Sequence, residues 1–138
     1  MSESGSINIL CAIACDDIRQ EVTGKYILIG AYAGNMGLPF FPVTIVLGFW
    51  VLVRPSDEGH YEVELRVQDP DGKEVVRGHM VLRVEKIEDS ALIIPPMTIP
   101  LAKAGEIVLQ YREKEEAWKT ICSLDARLIQ PTFPGASS

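Results

Sequence analysis

The chain has no surplus of positive charge. Its 13 Lys and Arg face 19 Asp and Glu, a formal net charge of −6. No Lys/Arg cluster breaks that balance, so the basic footprint that nucleic acids and anionic membrane surfaces select is missing. Long hydrophobic runs are missing too. The strongest, residues 43–53, is 11 residues long, where a membrane helix needs about 20. The opening Met-Ser-Glu-Ser-Gly-Ser lacks the basic region of a secretory signal. Ala12-Ile13-Ala14-Cys15 resembles a lipoprotein cleavage box only loosely, for the same reason. The expectation is a cytoplasmic protein with neither nucleic-acid nor membrane partners.

Cysteine and histidine are scarce. Cys11, Cys15 and Cys122 make an odd count of 3. Cys11 and Cys15 would lie roughly 13 Å apart on a strand, beyond the reach of about 7 Å that a disulfide allows. Three buried, reduced thiols are expected, with Cys122 able to meet either of the others across a sheet. His60 and His79 are the 2 imidazoles. No Gly-x-Ser-x-Gly elbow and no phosphate-binding glycine loop is written in the chain. A thiol and an imidazole can still meet in space. The reading is a non-catalytic protein without a cofactor.

What is present is a β pattern. Tyr61, Val63, Leu65 and Val67 alternate with Glu62, Glu64, Arg66 and Gln68. A period of two puts one apolar and one charged face on an extended strand. Asp69-Pro70-Asp71-Gly72 supplies a turn, and residues 73–85 return as the second arm of a hairpin. Further strands are expected at 7–15, 25–33, 43–54, 105–111 and 118–128. Gly48 marks a bulge or a close backbone approach. Residues 91–101 hold Pro95, Pro96 and Pro100, which restricts them to an edge strand or an extended crossing. Residues 16–24 read as a polar link, with Asp16 able to cap a helical turn, and 35–42 as a loop.

About eight regularly spaced strands without a long helix point to an all-β fold. A two-sheet antiparallel β-sandwich, immunoglobulin-like or similar, fits best. The boundaries are a flexible 1–6, one domain over 7–129 and a flexible tail at 130–138. Residues 43–53 are apolar on both faces, so that strand needs a cover on its outer side. The Pro-rich segment or a partner would supply it.

The motif Cys15-Asp16-Asp17-Ile18-Arg19-Gln20-Glu21, followed by Gly24-Lys25 and Ile29-Gly30-Ala31-Tyr32, resembles the opening of a widespread group of small bacterial β-proteins. Leu38-Pro39-Phe40-Phe41-Pro42 continues the likeness. That group is catalogued only as a domain of unknown function. The resemblance implies a bacterial single-domain β-sandwich and supplies no activity, cofactor or catalytic residue.

Two residue sets are candidate sites. Met36, Leu38, Phe40 and Phe41 crowd a Pro-flanked loop, and Ile93, Ile94 and Met97 flank Pro95-Pro96. Such groups either plug an open end of the sandwich or anchor a protein partner, a second copy included. Asp16-Asp17 and Asp69/Asp71 are acidic pairs of the kind that sandwich loops gather around Ca²⁺. Turn chemistry explains the same residues. The first reading is therefore a protein-interaction module. The alternatives are a Ca²⁺-dependent ligand binder or enzyme built from loop acids and His60, and a phage-derived structural protein. The charged face of the hairpin reads as a solvated sheet face.

Overall fold

The computed structural model describes residues 6–129. The flexible ends expected at 1–6 and 130–138 lie outside that range, Ser6 excepted. Ser6 is tied down: its carbonyl accepts from Ser56 N at 2.8 Å and its amide donates to Ser56 Oγ.

Ten strands follow one another. They are β1 (Ile7–Cys15), β2 (Asp17–Gln20), β3 (Tyr26–Ile29), β4 (Asn35–Leu38), β5 (Val43–Pro55), β6 (Gly59–Gln68), β7 (Glu74–Val84), β8 (Ser90–Leu101), β9 (Gly105–Glu113) and β10 (Lys119–Leu128). The protein is all-β, as its periodicity requires. One sheet has the order β1-β5-β8 and the other β4-β10-β9-β6-β7, while β2 and β3 form a separate hairpin. All pairs are antiparallel except β4 beside β10.

Alternation builds the core. On β6, Tyr61, Val63, Leu65 and Val67 are buried, while His60 and Glu62 between them are exposed and Glu64, Arg66 and Gln68 are half-buried. On β5, Leu47, Phe49, Val51 and Val53 turn inward from the opposite sheet. Ile107 and Leu109 of β9 complete the contact, and both inner rows join one cluster. Fully burying each such side chain stabilises the fold by roughly 1.5–3 kcal/mol. Among the described residues no helix is long and apolar enough to cross a membrane.

Two short strands raise the count from the expected eight to ten. Residues 16–24 are no polar link and Asp16 caps no helix. The turn at Glu21 to Gly24, with Gly24 at φ 96°, sends the chain back so that β2 pairs with β3. Residues 35–42 are not all loop, because Asn35–Leu38 runs parallel to the far end of β10 as β4. Both strands have 4 residues, too few to display a period. Pairing with a distant segment makes β4 a strand.

The cover of β5 also differs from expectation. The Pro-rich segment is β8, an in-plane neighbour of β5 at the sheet edge. Trp50, on the outer face of β5, instead meets the β2–β3 hairpin. The Tyr26 ring stands edge-on to it at 6.1 Å between centroids. Gly48 plays both roles read from the sequence. The β5–β8 register shifts there, and a Cβ on it would lie 3.1 Å from Ile94 O and Pro96 N.

Candidate interaction site

The apolar residues nominated from the sequence separate into two groups. Met36 faces the core from β4 and is 4% exposed. Leu38, Phe41 and Met97 are half-buried and pack against the core. Ile94 is buried on the inner row of β8, opposite Phe49. Ile93 is half-buried on the outer row, opposite Trp50. Of the two segments nominated, most of the apolar groups turn toward the core or are half-buried. The β alternation carries neighbours to opposite faces, so Ile93 and Ile94 cannot share a site. Phe40 alone stays open, at 59% exposure.

The surroundings of Phe40 come from three connections. Pro39 to Pro42 leads into β5, with a cis peptide bond between Phe41 and Pro42. The end of β8 and the β8–β9 turn place Pro100 and Ala102 alongside. The β6–β7 turn brings Asp69, Asp71 and Lys73 to the same cleft. Together they line a cleft of about 630 Å³. Gly105 makes this convergence possible. Its φ is 144°, and a Cβ there would press to 2.8 Å from Pro70 Cβ. Glycine lets the two turns close on one another.

The acids of the cleft are held. Asp69 Oδ1 accepts from the amides of Asp71 and Lys73, each at 2.9 Å. Lys103 Nζ lies 2.8 Å from Asp71 Oδ1, and that hydrogen bond pushes the ammonium pKa up. The other nominated acids belong to a different place. Asp16 Oδ1 accepts from the Tyr32 hydroxyl at 3.0 Å. Asp17 holds the Ile18 amide and Arg19 Nε. Among the described residues no group of three or more His, Cys, Asp or Glu is gathered for a metal. Asp16 and Asp17 are thus engaged beside the β2–β3 hairpin, and Asp69 and Asp71 at the β6–β7 turn.

The histidines and thiols stay apart. His60 lines a cleft at the end of the sandwich formed by Asp57, Glu113 and Lys119. His79 lines another with Glu62, Glu64 and Arg112. No cysteine lines either cleft. All three thiols are free, and Cys11 is exposed where burial was expected. Burial, then the charges of Asp16 and Asp17, pushes the Cys15 thiol pKa up. Burial does the same at Cys122. Both groups are held away from the reactive thiolate.

The sequence reading missed a cluster on the outer face of the five-stranded sheet. Trp118 lies under three guanidinium groups, with Arg66, Arg112 and Arg77 Cζ at 4.2, 4.4 and 5.2 Å from the ring centroid. Glu64 closes the cluster, accepting from Arg112 Nε at 2.6 Å with Arg77 at 3.6 Å. Register explains it: β6 sets Glu64 opposite Arg112 on one side, and Arg66 opposite Arg77 on the other. Alternation announced a charged face, but Trp118 lies far from the hairpin in sequence.

No curated protein matches the chain. A family model matches residues 10–121, carrying the likeness of the N-terminal third through to the start of β10. The chain belongs to the family of unknown function DUF6941.

Proposed function

We propose that this chain is a non-catalytic protein-interaction module, acting in the cytoplasm, that docks a partner through the Phe40 cleft. One observation carries the reading. Phe40 is 59% exposed while the aromatic beside it, Phe41, packs into the core. A large ring left in water beside Pro42 and Pro100 is the kind of stiff apolar anchor that interfaces use. The same cleft is also lined by Asp69, Asp71 and Lys73. The occupant that suits the cleft is a segment presenting an apolar side chain to the Phe40 ring. Three free thiols support a reducing compartment.

Phe40→Ser tests the reading and Phe41→Ala controls it. Phe40→Ser keeps the stability of the wild type within about 0.5 kcal/mol, since its ring is exposed. Phe41→Ala loses about 1–3 kcal/mol, because a partly buried ring leaves a partial cavity. Urea unfolding measures both. In affinity capture from native lysate, the folded Phe40→Ser protein loses a partner that the wild type retains. Identical capture by the two proteins would remove the Phe40 cleft as the site.

A further inference from the structure

β4 and β10 deliver the chain to one end of the sandwich. The pair is parallel, with Leu128 opposite Leu38, so both strands run toward the same end. There Ile129 N donates to Leu38 O at 2.8 Å. Ile129 lies so close to Gly37 that a Cβ on that glycine would stand 2.6 Å from its Cγ2. These contacts fix the point from which residues 130–138 continue. The same end carries the Phe40 cleft. Ala126 of β10 stands opposite Gly105, the glycine that closes on Pro70, and Phe40 follows Leu38 by two residues. Neighbouring strands lie about 4.8 Å apart, and two residues span at most about 7 Å. The Phe40 backbone is therefore within about 12 Å of Leu128.

Residues 130–138 read Gln-Pro-Thr-Phe-Pro-Gly-Ala-Ser-Ser. Phe133 comes five residues after Leu128, a reach of up to about 17 Å in extended chain. Pro131 and Pro134 stiffen the backbone around it, which lowers the entropy cost of docking. The segment holds no Asp, Glu, Lys or Arg, and the cleft asks for none. Asp69 already accepts from two turn amides, and Asp71 already holds Lys103. The group without a partner is apolar: the exposed Phe40 ring, beside Pro42 and Pro100. An uncharged segment with one aromatic ring matches that surface.

We propose that residues 130–138 dock in the Phe40 cleft of their own molecule, with the Phe133 ring against Phe40, so that a partner must displace them. The inference rests on the docking role given to that cleft and adds its regulation by a built-in competitor. Tethering sets the strength of the competition. Residues 130–132 are the whole link between β10 and Phe133 apart from Ile129, and so short a link holds a segment at an effective concentration of about the millimolar range. A free segment of equal affinity is then excluded until it reaches that concentration. The same segment of a second copy would lack this advantage.

Fluorine NMR of the full chain, grown with 4-fluorophenylalanine at its 4 phenylalanines, tests the proposal. The expected result is reciprocal. Phe133→Ala shifts the Phe40 resonance and leaves that of Phe49, buried in the core, in place. Phe40→Ser moves the Phe133 resonance to its position in the free peptide 130–138. Neither resonance of the wild type changes on dilution. The free peptide, added to the Phe133→Ala chain, returns the Phe40 resonance toward its wild-type position. A Phe40 resonance indifferent to Phe133→Ala overturns the proposal. One that changes on dilution overturns it as well, by assigning the segment to a second copy. Affinity capture separates this inference from the reading beneath it: Phe133→Ala should retain at least about tenfold more of a Phe40-dependent partner than the wild type. Reciprocal shifts without any Phe40-dependent capture, even by Phe133→Ala, overturn the docking role and leave the contact standing.

Discussion

Glu64 is the carboxylate to which the outer-face network is tied. Its hydrogen bond from Arg112 outweighs the opposing effect of desolvation and holds its pKa below the ordinary value of 4.5. A carboxyl depressed in the folded state contributes stability that is complete above its unfolded pKa. That contribution is lost as the pH falls through the depressed folded value. Glu64→Gln should therefore lower the melting temperature at neutral pH and flatten its fall on acidification. A variant that follows the wild-type acid limb in parallel would show that the Arg112 pairing adds nothing to stability. At this scale the sequence was only partly legible. Alternation marks Glu64 and Arg66 as outward-facing, but nothing local says that Arg112 and Trp118 will meet them. Likewise Phe40 and Phe41 are chemically identical neighbours, and their opposite fates depend on how the loop enters β5.

Among the elements, the long strands could be read, while two of the three four-residue strands, β2 and β4, could not. β1, β5 and the β6–β7 hairpin carry their periods over many residues. β2 and β4 have 4 residues each, and β4 owes its state to β10. Gly48 shows how an element depends on a single position. The β8 backbone at Ile94 and Pro96 passes so close that even a methyl group is tight against Ile94 O and Pro96 N. Main-chain atoms flanked by proline give way less readily than a flexible side chain. Gly48→Ala is expected to destabilise by about 1–3 kcal/mol, as overpacking does, read as a lower urea midpoint with unchanged slope. Gly78→Ala, with open space around it, is the contrasting control and stays near wild-type stability.

For the whole molecule, the inner rows of both sheets belong to one cluster. Neither sheet keeps a core once the other has left. The chain's 2 tryptophans allow this to be seen directly. Trp50 lies on the outer face of one sheet and Trp118 over the outer face of the other. Single-tryptophan variants, Trp118→Phe and Trp50→Phe, report the two sheets separately. Their fluorescence midpoints in urea should each coincide with the circular-dichroism midpoint of the same variant, the mark of a two-state transition. Separate midpoints within one variant would mean that the sheets unfold independently.

Residue order alone was enough for the all-β class, for the hairpin at Asp69 to Gly72 and for confining the Pro-rich segment to an edge strand or an extended crossing. Each follows from short-range rules: a period of two, turn stereochemistry, and a proline nitrogen without a hydrogen. Assembly settled which nominated residues are open, and that the Phe40 loop and the Asp69 turn share a cleft. These are facts about distant segments meeting, and the energy that sets them is burial of the common core. That energy depends on how whole strands stack and carries no local signature in the chain.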